Sequence, residues 1–169
     1  ASSQPITVTA KITDPDGVGS VNLLYQVVAP GDYIPAHLPN AYGTLTGAPG
    51  TPLSPNPAFE DPVNWTSIPM IDDGTGEDFT AGDGTYTGVI PGQANRTLVR
   101  YRIETTDAAA IPETVRVPYP DDPSLNFACF VYDGVPDWTA TEASVHPDGA
   151  GHVYGSEVLT ALPVYSMIT

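Results

Sequence analysis

The chain has 169 residues, about the size of a single globular domain, and it is long enough to bury a hydrophobic core without disulfide bonds. It carries 20 acidic and 5 basic residues, so its formal net charge of −15 disfavours binding to nucleic acid and to anionic membrane surfaces. No apolar run approaches the roughly 20 residues that span a bilayer, so we expect no direct membrane insertion.

The first elements predicted along the chain are two β-strands. Residues 6–12 (ITVTAKI) alternate apolar and polar side chains, which predicts a half-buried strand with Ile6, Val8, Ala10 and Ile12 on its buried face. Residues 14–17 (DPDG) have the composition of a turn. In the second strand, one side carries Val21, Leu23, Tyr25 and Val27. The two strands are predicted to form either a β-hairpin or a β-arch.

A proline-rich segment, residues 31–62, then interrupts the strand pattern. Loops of this length inside compact domains are usually binding surfaces or mobile excursions, and the sequence leaves both alternatives open. The segment contains ring-bearing side chains that a plain linker would lack: Tyr33, His37, Tyr42 and Phe59.

Further strands are predicted at residues 65–71, 84–90, 97–106, 113–117 and 126–132, each bounded by Gly, Pro, Asp or Asn. Helical periodicity is nowhere sustained. About seven short strands predict an all-β fold, an immunoglobulin or fibronectin type III-like β-sandwich with one long Pro-rich loop insertion. We assign the sandwich to residues 1–134 and a C-terminal extension, which ends in a strand-like segment, to residues 135–169.

The strand predicted at 97–106 places an unusual row of charges on one face. Because side chains alternate along a strand, Leu98, Arg100, Arg102 and Glu104 share that face. The row is predicted to be solvent-facing, where the arginines either counter acids on neighbouring strands or contact a partner.

Residues 69–92 (PMIDDGTGEDFTAGDGTYTGVIPG) are the best candidate for a functional site. Calcium prefers several carboxylate and carbonyl oxygens, and glycine lets a backbone fold tightly around such an ion. We therefore predict a Ca²⁺ site formed by Asp72, Asp73, Asp78 and Asp83. The spacing does not match an EF-hand, and the alternative is a pair of Asp-Gly turns. Asp14 and Asp16 could add ligands, although a turn is the expected role there, as it is for Asp121 and Asp122.

Two N-x-[ST] triplets make Asn95 and Asn64 candidate glycosylation acceptors, and Asn95 is the better one because it follows a Pro-Gly turn. No hydrolase elbow, P-loop or dinucleotide-binding motif occurs in its required context, so we expect the protein not to be an enzyme. The single cysteine, Cys129, cannot form an internal disulfide, and its apolar surroundings predict a packed, unreactive thiol.

The chain ends in LPVYSMIT, an apolar segment that is compatible with a β-strand. If this strand does not dock on its own sheet, it could pair with an exposed strand edge of another copy and build a polymer. The residues of this predicted assembly strand are Leu162, Val164, Tyr165, Met167 and Ile168.

Three sequence patterns resemble a known family: M-x-DDG-x-G-x-D-x-x-AGDG-x-Y from Met70, IPGQ-x-x-x-TLVRYRI from Ile90, and NFA-x-FVYDGVP from Asn126. Together they resemble the immunoglobulin-like module found upstream of the kinase-like domain in bacterial exported proteins of the CotH family, which often carry lamin-tail domains. The resemblance implies a non-catalytic β-sandwich in a secreted or surface protein, with the catalytic domain downstream. It carries over no functional residues.

Two functions are consistent with these observations. The leading hypothesis is a secreted or cell-surface structural module for adhesion or self-assembly, stabilised by calcium, which forms a homo-oligomer or polymer through its terminal strand. The alternative is a recognition or spacer module for a glycan or surface protein beside a kinase-like enzyme. Exposed, coplanar aromatic side chains from the 31–62 loop, together with Trp138 and Tyr154, would favour the alternative.

Overall fold

The computed structural model describes residues 1–38, 54–142, 148–161 and 163–165. The strands of this part of the chain are β1 (Ile6–Lys11), β2 (Val18–Val28), β3 (Thr66–Pro69), β4 (Thr85–Ile90), β5 (Thr97–Asp107), β6 (Thr114–Val117), β7 (Phe127–Val131), β8 (Trp138–Thr139) and β9 (Val153–Tyr154). Its helices are single turns: α1 (Pro57–Glu60), α2 (Ser156–Leu159) and a 3-10 turn (Pro62–Asn64).

Strands β1 to β7 form two antiparallel sheets that pack face to face, which confirms the predicted all-β sandwich, and β8 and β9 form a separate pair. The larger sheet has the order β3-β2-β5-β6, and β7 also pairs with β5. β7 pairs with the first half of β5 and β6 pairs with the second half, so both lie on the same side of it. The smaller sheet consists of β1 and β4 alone. The immunoglobulin or fibronectin type III identity stays a prediction.

The turn between β1 and β2 carries the chain from one sheet to the other. β1 pairs with β4, while β2 pairs with β3 and β5, so the β-arch is correct and the hairpin is wrong. The Asp14 carboxylate accepts a hydrogen bond from the Asp16 N–H at 2.8 Å, and the Asp14 carbonyl accepts one from Gly17 at 3.1 Å. The predicted turn is therefore present, and it lies in the crossover between the sheets.

The core lies between the two sheets. Leu23, Ile90 and Val99 are fully buried there, and the predicted face of β1 packs into the same cluster. One prediction for β2 is wrong: Val27 is 44% exposed, although Val21, Leu23 and Tyr25 on the same side are buried. On the opposite face of β2, Gln26 and Val28 are buried, so the end of this strand is covered from outside the sandwich.

The described ends of the insertion, residues 31–38 and 54–62, cover this outer face of the larger sheet. Asn56 joins the two ends, because its side-chain amide donates to the Pro35 carbonyl at 2.7 Å and its side-chain oxygen caps α1 at Ala58. Phe59 on α1 is fully buried. This part of the insertion is a packed cover, and residues 39–53, with Tyr42, lie outside the described residues.

The C-terminal extension contains the short β8–β9 pair, in which Trp138 lies opposite Tyr154. The predicted boundary between the sandwich and the extension, near residue 134, stays a prediction.

Candidate functional site

The outer edge of β1 in the smaller sheet is unpaired within the described residues, whereas β4 also forms an isolated bridge with Ile71. β1 pairs with β4 through all six of its residues, and no other strand of the described chain pairs with it. Thr7, Thr9 and Lys11 are exposed along this strand, while Val8 is buried in the core. An unpaired edge presents backbone N–H and C=O groups that can pair with another chain.

A largely apolar groove of about 330 Å³ runs beside this edge. It exists because the smaller sheet has two strands and covers only part of the inner face of the larger one. The groove is lined by residues 8–12 of β1 and by Tyr101, Ile103, Thr105, Val117 and Phe127 of the larger sheet. From here on, the name β1 groove means the unpaired edge of β1 together with the apolar groove beside it.

Two aromatic rings form the floor of the β1 groove. Tyr101 and Phe127 are cross-strand partners with ring centroids 5.4 Å apart, and Phe127 is 40% exposed. Burial raises the pKa of the Tyr101 phenol, and the nearby Cys129 thiol adds a smaller effect in the same direction. The phenol therefore stays neutral at physiological pH. The residues that line the groove include no acidic side chain.

The predicted assembly strand is only partly within the described residues. Val164 and Tyr165 are exposed, at 49% and 89%, and are not part of a strand. Pro163 and Val164 line a cleft with Tyr132, Gly134 and Val135, close to the end of β7. Leu162, Met167 and Ile168 lie outside the described residues, so the pairing of this segment stays a prediction.

The aspartates predicted to bind calcium accept hydrogen bonds from their own loop. Asp72 accepts from the N–H groups of Asp83 at 3.1 Å and Gly84 at 2.8 Å, which closes the loop. The buried Asp78 carboxylate accepts from Gly74 at 2.6 Å, and Asp73 accepts from Thr75 at 2.9 Å. These contacts fit the alternative of Asp-Gly turns.

The rest of the loop follows the same pattern. Asp83 accepts from the Thr85 N–H at 2.7 Å, and its carbonyl accepts from Lys11. Hydrogen bonding by Thr85, first through its side chain and then through its backbone N–H, is the main reason that the pKa of Asp83 is lowered. Within the part of the chain that the structure describes, no three carboxylate, imidazole or thiol groups lie close enough together to hold a metal ion. Calcium binding stays an untested prediction. Asp122 accepts from the Tyr119 N–H in a turn, as expected.

The candidate glycosylation acceptors differ in what their side chains do. The Asn95 side-chain oxygen accepts a hydrogen bond from the Asp133 N–H at 3.0 Å, and the residue lies in a half-buried turn before β5. The Asn64 amide nitrogen, which is the atom that would carry a sugar, donates to the Ala58 carbonyl at 2.8 Å. Asn95 remains the better candidate, and glycosylation of either residue stays a prediction.

The predicted solvent-facing row of arginines is wrong, because Arg100 and Arg102 are only 4% and 2% exposed. The covering insertion and Trp65, which follows it, place aromatic rings around both guanidinium groups. Arg100 lies 4.6 Å from the Tyr33 ring centre and 5.1 Å from that of Phe59, while Arg102 lies 4.9 Å from Phe59 and 4.0 Å from Trp65. These five residues form an alternating arrangement, which we call the arginine stack.

Glu60 supplies the negative charge for one end of the arginine stack. It accepts two hydrogen bonds from Arg102, at 2.8 and 2.9 Å, and one from Arg116 at 3.3 Å. Hydrogen bonding by Arg102 is the main reason that the pKa of Glu60 is lowered. The strand pattern could not reveal this contact, because Glu60 is 42 residues from Arg102 in sequence.

Among the described residues, the aromatic side chains proposed for recognition do not form one platform, and Tyr42 lies outside that part of the chain. Phe59 is buried in the arginine stack, and the Trp65 indole N–H donates to the Phe59 carbonyl at 2.6 Å, so Phe59 is structural. Tyr33 is 44% exposed. Trp138 and Tyr154 stack on each other with centroids 5.7 Å apart, in the separate β8–β9 pair.

Comparison with known proteins gave no match to any protein family, curated protein or solved structure. Among the described residues, no helix has the length and apolar character needed to cross a bilayer.

Proposed function

We propose that this protein is a non-catalytic structural module that assembles with other copies of itself through the β1 groove. The observation that carries the proposal is the unpaired edge of β1 beside an exposed apolar floor. Strand addition to such an edge gives affinity through main-chain hydrogen bonds and specificity through side-chain pockets.

The C-terminal segment of a second copy is the occupant that best fits this site. Residues 164–169 (VYSMIT) number six, as do those of β1, and they contain no charged side chain. Because each chain carries a net charge of −15, copies repel one another over most of their surfaces. An uncharged segment against an apolar groove avoids that repulsion while burying exposed apolar surface.

The wider setting remains part of the same proposal. A secreted or cell-surface location, and a place upstream of a kinase-like domain of the CotH type, rest on composition and on the resemblance of the quoted sequence patterns. A structural subunit of this kind would need neither a cofactor nor a catalytic residue.

The experiment is light scattering on the full chain over a series of concentrations, compared with two variants. Truncation after Ala161 removes the predicted occupant, and Thr9→Glu adds a charge to the exposed side of β1 that lines the groove. Thr66→Glu is the matched control, because Thr66 is exposed on β3, at the far edge of the larger sheet. We expect concentration-dependent assembly of the full chain and of Thr66→Glu, and monomers for the other two.

Each other outcome contradicts the proposal. A full chain that stays monomeric shows that copies do not assemble. Assembly that survives Thr9→Glu uses another surface. Assembly that survives truncation but not Thr9→Glu shows that a different segment occupies the groove. A monomer that is destabilised by truncation shows that the segment docks on its own chain.

A further inference from the structure

A second cleft, separate from the β1 groove, lies on the outer face of the larger sheet. It is at the end of the arginine stack that Tyr33 and Arg100 form, away from Glu60. It has a volume of about 430 Å³. Its walls come from the insertion (Tyr33, Ala36, His37), from β5 (Leu98, Arg100), from residues 123–126 and from Ala128. None of these lining residues is acidic, although the whole chain has 20 acidic residues.

The charges on this face do not balance. Arg100, Arg102, Arg116 and Glu104 lie on it, and Glu60 approaches it from α1, so three positive side chains face two negative ones. Among the described residues, Glu60 is the carboxylate that forms salt bridges with these arginines. Glu60 contacts Arg102 and Arg116 but not Arg100. The arginine that lines the cleft is therefore the one without a carboxylate partner in the described chain.

Arg100 is buried with only neutral hydrogen-bond acceptors. Its Nη1 donates to the Gln26 Oε1 at 2.9 Å and to the Ile34 carbonyl at 2.6 Å. Burial lowers the pKa of this guanidinium, which is the expected effect of removing a cation from water. The neighbouring Gln26 Nε2 is buried with no hydrogen-bond partner. A buried cation with no counter-charge is costly, and an anionic ligand would reduce that cost.

The remaining lining residues indicate the chemistry of the ligand. A guanidinium pairs best with a planar carboxylate, which can accept two parallel hydrogen bonds. Tyr33 offers a half-exposed ring and a hydroxyl group at the wall of the cleft, and His37 adds a second ring with polar atoms. An aromatic face beside polar groups suits the apolar face and the hydroxyl groups of a sugar ring.

We propose that this cleft binds an acidic sugar, with the sugar carboxylate at Arg100 and the sugar ring against Tyr33. The site is separate from the β1 groove, so the chain truncated after Ala161 should bind the sugar as the full chain does. Failure of self-assembly and failure of sugar binding are thus independent results.

The test uses D-galacturonate as the probe, with uncharged D-galactose and L-glutamate as comparisons, by titration calorimetry and NMR on the full chain. We expect galacturonate to bind, and galactose to bind about tenfold more weakly or worse because it lacks the carboxylate. Absence of galacturonate binding would overturn the proposal. Glutamate binding as strong as that of galacturonate would overturn the assignment to a sugar.

A variant that supplies the missing charge avoids removing the buried arginine. Ala128 is the cross-strand partner of Arg100, lines the same cleft and is exposed. Ala128→Glu would place a carboxylate opposite Arg100 and compete with the ligand, while Ala128→Gln matches its size without the charge. We expect Ala128→Glu to melt at a higher temperature and to bind galacturonate at least about tenfold more weakly than Ala128→Gln. Equal binding by the two variants would show that Arg100 does not hold the carboxylate.

Discussion

At the scale of single residues, Glu60 is the side chain on which the outer face of the larger sheet most depends. It is 43% exposed itself, but the Arg102 side chain that it contacts is 3% exposed. Removing one partner of a buried charge pair is more costly than replacing both, because the remaining charge stays buried without compensation.

We predict that Glu60→Gln lowers the free energy of unfolding by about 1–3 kcal/mol, below the value for a fully buried pair because water reaches Glu60. Chemical denaturation would measure the difference. Glu104→Gln is the matched control, since Glu104 lies on β5, as Arg102 does, and forms no salt bridge within the described residues. Equal losses in the two variants would contradict the assigned role of Glu60.

The same pair predicts how stability depends on pH. The pKa of Glu60 is lowered from its ordinary value of 4.5, chiefly by the hydrogen bonds from Arg102. A carboxylate with a lowered pKa stabilises the fold fully above its unfolded pKa, and this contribution is lost as the pH falls through the folded pKa. The stability difference between wild type and Glu60→Gln should therefore be constant near neutral pH and shrink below about pH 4.5. A difference that grows on acidification would contradict this assignment.

At the scale of elements, the loop between β3 and β4 is closed by one carboxylate. Asp72 satisfies the N–H groups of Asp83 and Gly84 on the far side of the loop, where β4 begins. We predict that Asp72→Ala lowers the free energy of unfolding by about 1–2 kcal/mol in the presence of a chelator, because two N–H groups lose their acceptor. Asp16→Ala is the control, since the Asp16 carboxylate makes no hydrogen bond within the described chain. If the two variants are equally stable, Asp72 does not close the loop.

Calcium is tested on the same proteins by the shift in melting temperature when calcium replaces the chelator. A site filled to 100 times its dissociation constant adds about 2.7 kcal/mol. If calcium binds through these aspartates, the wild type should gain stability and Asp72→Ala should not. A wild type that melts at the same temperature in both conditions would show that the calcium prediction is wrong.

The strands could be predicted from the sequence because their evidence is local. The alternation in residues 6–12 and 97–106 correctly located β1 and β5, and the DPDG turn correctly ended β1. The contacts that determine the sites are not local. Arg100 and Arg102 fit a solvent-facing row in the strand pattern, but Phe59 of the insertion and Trp65 just after it, some 40 residues earlier in the chain, cover them. The β1 groove was also missed, since strand patterns do not reveal which edge is left unpaired.

At the scale of the whole molecule, the net charge and the β1 groove have opposite effects on self-association. A charge of −15 repels other copies, whereas the β1 groove offers them apolar surface. We predict that assembly strengthens as salt rises from 0.01 to 0.15 M, because the screening length falls from about 30 Å to about 8 Å. Light scattering at a fixed protein concentration would measure this. Weaker assembly with added salt would show that ion pairs, and not apolar contacts, hold the copies together.

The single thiol provides a reporter for events at the β1 groove. Cys129 lies on β7, two residues from Phe127, and burial raises its pKa, so the reactive thiolate is scarce in the folded protein. Alkylation should therefore be slow in the folded protein and faster wherever β7 opens locally. We predict that the assembled protein is alkylated more slowly than Thr9→Glu at the same concentration, as measured by intact mass, with unfolded protein as the fully reactive control. Equal rates would show that assembly leaves this strand as accessible as before. Because each chain carries one thiol, every mass shift would report one modified subunit, and the rate of modification would report how accessible β7 is in the assembly.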